Sequence, residues 1–385
     1  MTNIEKLLPA FESNNVTLIL SSSNKFSMYL AVCLQSIIEN CTDNYNYDII
    51  IFEREISETN KKRIIALVEN YSNVSIRFFY VADAMKQYKF FLNSSRISQE
   101  TYYGLLIPFL LPNFNKGIIM DCDMIVKHDI AELYSIDLEE YVIGGVNDIV
   151  LQGWLSDRKN NDTYNYYTEY LKVKNPMKFI NGGLLLIDFD KYRTSITLNQ
   201  VSNYINNYKL RVVDQDIINI LFDGKCKHIN YKWNHLICIK GAISEAISKA
   251  PDASRQRYFN SRKDPYIIHY AGDFKPWNFP EIEFADDFWK YARKTRFYEI
   301  ILYYMFQNKM EEGIICHQEI YHNKLIRKII SPYREEKLKR LAKNKIPNNS
   351  CVYKFVRKLY FKLIGRPYTA RTNVGDKGSY YLFGW

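Results

Sequence analysis

"VTLILSSSNKFSMYLAVCLQSIIENCTDNYNYDIIIFE", residues 16–53, decides the fold class. Val16–Ser23 is an apolar run that ends in small polar residues, the pattern of a buried strand and its following loop. "MYLAVCLQSIIEN" (28–40) then spaces its apolar residues at helical period, and "YDIIIFE" (47–53) is a second short apolar run. The unit continues. "SETNKKRIIALVENY" (57–71) opens with Ser57 three residues before Asn60 and reads as an amphipathic helix, and "VSIRFFYV" (74–81) returns as a strand. Such alternation predicts an α/β fold with a parallel, doubly wound sheet, whose strand C-termini are where a nucleotide is held.

Further along, "RISQETYYGLLIPFLLP" (96–112) predicts a helix capped near Ser98 and ended by Pro112. "YVIGGVND" (141–148) and "FINGGLLLIDFDKYR" (179–193) each carry a strand, the second behind the paired glycines Gly182 and Gly183. Between them the polar "LSDRKNNDTYNYYTEY" (155–170) is expected to run over the surface near the site, a place for partner specificity. The 385 residues exceed what a single core usually organises, so one main domain, 1–285, and a C-terminal extension, 286–385, are expected. Hydrophobic residues at 47% and charged ones at 24% argue against extensive disorder.

The seven cysteines are scattered and form no CxxC pair, which points to a reduced, cytoplasmic compartment without a disulfide framework or zinc site. The N-terminus has no basic segment followed by a long apolar one, and "GLLIPFLLP" is too short to span a bilayer.

Chemistry enters at "IIMDCDMIVKHDI" (118–130), where an apolar run stops at Asp121 and Asp123. Side chains two apart on an extended segment point the same way, so both carboxylates can converge on one hard divalent cation. A solvated loop explains them equally simply. "IIHYAGDFKPWN" (267–278) adds a predicted strand end at His269, an imidazole acceptable to Mn²⁺ more than to Mg²⁺, followed by Gly272 and Lys275. Gly272 permits close backbone approach to a ligand, and Lys275 suits a phosphate as a point charge. A structural histidine is the plainer alternative. "VVDQDIINILFDGK" (212–225) places Asp214 and Asp216 around Gln215 at a helix start, where the helix dipole alone favours a carboxylate.

These segments, in this order, resemble glycosyltransferase family 8, retaining enzymes that include bacterial lipopolysaccharide galactosyl- and glucosyltransferases and glycogenin. The resemblance covers about Val16 to Pro280 and rests on "YYGLLIPFLLP", "GIIMDCDMIVKHDIAELY", "FINGGLLLIDFDKYR", "DQDIINILFDGKCKHINYKWN" and "HYAGDFKPW". It implies a GT-A fold, a UDP-sugar donor, UDP-galactose or UDP-glucose, and a Mn²⁺ ion, with Mg²⁺ as the substitute. By the same resemblance Asp121, Asp123 and His269 are the metal ligands, and Lys275 and Gly272 contact the diphosphate. Asp148 and Asn181 lie near the donor sugar or acceptor, Asp214 holds sugar hydroxyls, and Gln215 stands near the anomeric carbon; Asp214 and Gln215 are thus the catalytic pair. Ser22, Ser23 and Asn24 receive the uridine, Cys122 lies among the donor contacts, and Arg96 is the candidate to substitute for an arginine that faces the donor phosphate or sugar in relatives. Two departures are plain. This chain reads "SSSNKF" where relatives read as in "ADDNY", and "YYGL" with Gly104 where many have "YYRL".

The formal charge of +10 is unevenly placed, with 21 Lys/Arg against 9 Asp/Glu from Asp286 onward. On a helix over Cys351 to Ile364, Val352, Phe355, Val356, Leu359 and Leu363 share one face and Lys354, Arg357, Lys358 and Lys362 lie largely on the other. That pattern suits an anionic membrane surface, and a helix packed on the main domain is the alternative. A basic stripe alone is no evidence for nucleic acid. The function expected from the resemblance is hexose transfer to an oligosaccharide or glycolipid acceptor, at the inner face of the bacterial plasma membrane. Transfer to a protein-linked glycan, and UDP-sugar binding without turnover, are the alternatives.

Overall fold

The computed structural model describes residues 7–92, 99–157, 161–237 and 241–311. The first strand-helix units run β1 (Asn15–Ser21), α1 (Ser27–Ile38), β2 (Asn46–Glu53), α2 (Glu58–Ile65), β3 (Val74–Tyr80) and the single turn α3 (Ala82–Met85). A second stretch contains α4 (Tyr103–Leu110), β4 (Lys116–Met120), β5 (Met124–Val126), α5 (Ile130–Tyr134), β6 (Ile143–Asn147), α6 (Ile149–Ser156) and α7 (Asn161–Asn165). Then follow β7 (Ile180–Asp188), α8 (Phe189–Ser195), α9 (Leu198–Asn207), α10 (Val213–Leu221), β8 (Cys226–His228) and β9 (His235–Leu236). The described chain ends with α11 (Ala242–Lys249), α12 (Asp252–Ser261), β10 (Ile267–His269), α13 (Ala285–Ala292) and α14 (Tyr298–Glu311).

Seven strands form one sheet in the order β3-β2-β1-β4-β7-β6-β8, and β5-β10-β9 form a smaller one. The predicted parallel order holds for β3-β2-β1-β4, each pair bonded in parallel register. It stops at β7, which is antiparallel to both β4 and β6. Alternation of strands and helices does not encode this reversal, because the long connection before β7 lets that strand enter from either end.

Local chemistry explains the elements. The Ser57 hydroxyl accepts from the Asn60 amide and caps α2, as its spacing predicts. Asp148 and Asp188 cap α6 and α8 in the same way. Helix α4 ends at Leu110, two residues before Pro112, after a 3₁₀ turn over Gln99–Tyr102; Ser98, its expected cap, lies outside the described residues. Helix α1 is buried on nearly all sides and packs against α13 and β5. One core layer joins Ile19, Ile50, Ile119 and Ile187 of the sheet to Tyr103, Tyr192 and Phe222. Residues up to Met305 belong to one compact unit, and those from Phe306 to a second. Among the described residues no helix is long and apolar enough to cross a membrane. The basic helix expected over Cys351–Ile364 lies outside the described residues.

Candidate active site

The reversal of β7 builds the site. Because β7 is antiparallel to β4 and β6, its N-terminal end, "INGG", meets the C-terminal ends of both neighbours. Asp121, just past β4, donates its backbone N–H to the Gly183 carbonyl at 2.8 Å. Asp148, just past β6, donates its own to Phe179 at 2.9 Å. The small sheet supplies the third side: β10 runs antiparallel to β5, so His269 stands opposite Met124, next to Asp123. Tyr270 N–H to the Asp123 carbonyl, 3.0 Å, closes the corner.

There Asp121, Asp123 and His269 each offer one ligand atom, all within 4.8 Å of one another. His269 Nε2 lies 3.7 Å from Asp121 Oδ2 and 3.4 Å from Asp123 Oδ1. Lys275 Nζ bonds Asp123 Oδ2, and also the Tyr270 carbonyl at 2.6 Å. Two of its three N–H donors are thereby used and one is left for a ligand. The two carboxylates differ. Crowding by the surrounding strand ends and the charge of Asp123 push Asp121 up, to about 6, against the pull of His269 and Lys275. Its side chain is 56% exposed on a concave wall, where solvent weakens the repulsion by Asp123 without abolishing it. Burial pushes Asp123 upward too, but Lys275 and His269 outweigh it and hold this carboxyl below the ordinary range. Two oxygens and one imidazole nitrogen converging in this way fit a divalent cation of the Mn²⁺ or Mg²⁺ type.

Glycine is required at this point. A Cβ on Gly183 would stand 2.5 Å from His269 Cε1 and 2.8 Å from Asp121 Oδ2, and one on Gly182 would stand 3.1 Å from Gln215 Cβ. Gln215, in the first turn of α10, accepts from Gly182 N–H at 2.8 Å and donates Nε2–H to Asp148 Oδ2 at 3.0 Å. Asn181 donates to the same Asp148 oxygen at 3.4 Å. Asp214 is partly exposed at the start of α10, and burial followed by the Asp121 charge pushes its carboxyl well above the usual range. Gly272 adopts φ +81° three residues before Lys275, a left-handed conformation that glycine takes at little cost.

The structure therefore brings Asp121, Asp123, His269 and Lys275 together, and links Asp148, Asn181 and Gln215 beside them. The first loop, expected to receive the uridine, is arranged otherwise. Asn24 Oδ1 accepts from Ser57 N–H and Asn60 Nδ2–H, at 3.0 and 2.9 Å. Ser22 Oγ donates to the Ser23 carbonyl, Ser23 Oγ accepts from Phe26 N–H, and Cys122 Sγ is buried against the Ser21 carbonyl. These contacts leave the Asn24 Nδ2 donors, the Ser23 O–H and part of the backbone for a ligand. Gly104, the second residue of α4, has room beside it, the nearest neighbour of an added Cβ being Ile119 Cγ2 at 3.6 Å. Arg96 lies outside the described residues.

Two residues escaped the sequence reading. Asn219 binds both N–H and carbonyl of Ile180, at 2.8 and 2.9 Å, and ties α10 to β7. Asn234 bridges His269 and Asn181, at 2.9 Å each. Asn219 follows Gln215 by one helical turn, a signal that was available; Asn234 gave none.

Comparison with known proteins agrees with this geometry. The chain is 25% identical over 284 residues to General stress protein A of Bacillus subtilis, covering 71% of this chain and 92% of that protein. It is 23% identical over 258 residues to a lipopolysaccharide 1,2-glucosyltransferase of Escherichia coli, covering 64% and 69%. Among solved structures, the bifunctional glycosyltransferase WbbM superposes with a TM-score of 0.68 at 27% identity, over 78% of this chain and 53% of that one. The galactosyltransferase LgtC, solved with donor and acceptor sugar analogues, superposes at 0.58 and 21% identity, over 73% and 96%, and shares the GT-A fold. The family description Glycosyl transferase family 8 matches residues 17–280, most of the described chain, and the protein belongs to that family of glycosyltransferases.

Proposed function

We propose that the protein transfers a hexose, galactose or glucose, from a UDP-sugar to a saccharide acceptor with retention of anomeric configuration. The observation that carries this reading is the Asp121–Asp123–His269 cluster with Lys275 at its edge, where a cation and an ammonium can hold a diphosphate. When bound, a divalent cation supplies Lewis-acid stabilisation of the charge on the departing diphosphate. Lys275 adds its remaining N–H donor, and Gly272 lets backbone approach the same oxygens. Asp214 holds the sugar hydroxyls in this reading. Gln215 Oε1, held by Gly182 N–H, keeps a second lone pair to face the positive anomeric centre.

A double-displacement route needs a carboxylate nucleophile beside the sugar bond. The residue in that role here is an amide, a poor nucleophile, so the acceptor hydroxyl attacks from the face that UDP leaves and passes its proton to the leaving phosphate. Product of inverted configuration would sink this assignment. Likeness to a lipopolysaccharide glucosyltransferase supports a surface glycolipid as acceptor. The basic C-terminal region, resting on an anionic membrane, brings the enzyme to it; a truncation after Pro347 that floats with anionic liposomes as well as the full chain would refute that part. The central test is UDP release from a panel of UDP-sugars by wild type and Asp123→Ala, with Mn²⁺ or chelator. Metal-dependent release from one sugar, absent in the variant, is expected. Saturable nucleotide binding without release, even with acceptor, would instead indicate a binding protein.

A further inference from the structure

His269 can act as a ligand through Nε2 only if its ring proton sits on Nδ1. Ring protons are not assigned by distance alone, but here a chain of contacts assigns this one. It starts at a group with no ambiguity, the backbone N–H of Gly183, which donates to Asn181 Oδ1 at 3.1 Å. Asn181 must therefore turn its oxygen this way. The same oxygen faces Asn234 at 2.9 Å, so Asn234 presents its Nδ2 donor there and its Oδ1 acceptor at the other end. That acceptor lies 2.9 Å from His269 Nδ1. The imidazole consequently carries its proton on Nδ1 and aims the Nε2 lone pair at the two carboxylates.

The reverse polarity is coherent only within the ring. With Asn234 flipped, an N–H would face Nδ1, the ring proton would move to Nε2, and His269 would bond Asp123 instead of sharing a cation with it. That flip would set two amide oxygens, of Asn234 and Asn181, against each other. Asn181 cannot relieve the clash, because Gly183 N–H holds its oxygen and its Nδ2 donates to Asp148. Asp148 is fixed in turn by the Leu151 N–H at 2.9 Å. Asn234, His269 and Asn181 are 1%, 3% and 8% exposed, so water has little access to replace a partner.

We propose that Asn234 is a positioning residue that sets the His269 tautomer, transmitting the direction of the Gly183 N–H through Asn181 to the Nε2 lone pair. The inference rests on the reading of Asp121, Asp123 and His269 as a cation site, and it names the residue that makes the imidazole a ligand. Ligand histidines held through their second nitrogen lose roughly 10–100-fold in metal affinity when that partner is removed.

The test uses the full chain without nucleotide and two readouts that do not depend on turnover. Free Mn²⁺ is titrated by electron paramagnetic resonance against wild type, Asn234→Ala, Asn234→Asp and His269→Ala. The His269 tautomer is read in metal-free wild type by ¹⁵N-resolved NMR, its signals identified among six histidines by their loss in His269→Ala. The expected results are a proton on Nδ1, Mn²⁺ affinity roughly 10–100-fold weaker in Asn234→Ala, and retention of much of the affinity in Asn234→Asp, which still accepts from Nδ1–H. A proton on Nε2 alone, or undiminished affinity in a folded Asn234→Ala, would overturn the proposal. Wild type that does not bind Mn²⁺, or His269→Ala that binds it equally well, would refute the cation site itself; the NMR tautomer would still decide the role of Asn234. The wild-type spectrum and Asn234→Asp keep the test decisive if Asn234→Ala does not fold.

Discussion

Across β1, β2 and β4 the interior is apolar: Leu18, Ile19, Ile49, Ile50 and Ile118 have no accessible surface. At the neighbouring end of β7, Asn181, Asp148, Gln215, Asn234 and His269 are almost as deeply buried, at 1–8% exposure, and every one is polar. The first region is stabilised by area removed from water, about 25 cal/mol per Å², a force without direction. The second is specified by hydrogen bonds whose donors and acceptors each have one arrangement, anchored on the N–H groups of Leu151, Gly182 and Gly183. Stability should therefore reside chiefly in the apolar region and activity in the polar one, and substitutions should separate the two.

The largest separation is expected at Asp123. Asp123→Asn keeps the volume but removes a charge that Lys275 and His269 both face. UDP release should fall by about a thousandfold, on the scale of losing a dominant electrostatic element of catalysis. Thermal unfolding should shift by only a few degrees, as for changes of about 1 kcal/mol. Equal damage to both would erase the contrast drawn above.

Ile50→Ala should do the reverse. Ile50 is fully buried in the core layer with Ile19 and Ile119, so truncation should cost about 2–5 kcal/mol, read by urea unfolding, while activity per folded molecule stays unchanged. The same contrast governs what could be read from the sequence. The apolar region was legible because strand-helix-strand periodicity is local, as "VTLILSSS", "MYLAVCLQSIIEN" and "YDIIIFE" show. Asp121, Asp123 and His269 were legible because each ends an apolar run, and the family resemblance brought them together. Asn234 was not, since its role depends on β9 lying parallel to β10 and on β7 running antiparallel to β4. No spacing within "KWN" carries that information. Nor did "SSSNKF" disclose that its asparagine faces α2.

A third substitution tests the border between the regions. His235, next to Asn234 in the chain, is fully buried, stacks on Tyr258 at 4.8 Å and pairs through Nδ1 with Ser261 Oγ at 2.9 Å. The Ser261 hydroxyl donates to Tyr258, so it accepts from His235 and leaves Nε2 without a partner. Burial, with Arg262 adding to it, lowers the imidazole from 6.5 to about 4. The folded protein thus stays neutral here while the unfolded chain takes up a proton, and stability falls as pH drops from 6.5 toward 4. Above 6.5 the group contributes nothing. At about 1.4 kcal/mol per pH unit the loss across the window is roughly 3 kcal/mol, and His235→Phe should remove that part of the slope in urea unfolding at pH 7 and pH 4.5. Parallel slopes would show that this histidine titrates normally.

The smallest effect is expected at Asn24, where the two regions' rules compete for one residue. Its place in the first loop puts it among the residues expected to receive uridine, yet its Oδ1 is engaged by Ser57 N–H and Asn60 Nδ2–H. Those contacts hold the start of α2, which the Ser57 hydroxyl also caps. Asn24→Ala should therefore lose about 1 kcal/mol of stability, the scale of one hydrogen bond at a helix start, and change UDP affinity little. A several-fold loss of UDP affinity at unaltered stability would mean that Asn24 contacts the nucleotide, through its Nδ2 donors or after releasing α2. Ser22 Oγ donates and Ser23 Oγ accepts within the loop, so the first outcome would leave uridine recognition in this segment to the Ser23 O–H and to backbone N–H and carbonyl groups. Recognition shared with the backbone depends less on side-chain identity, which gives a physical reason why "SSSNKF" can depart from the pattern that the family resemblance implies.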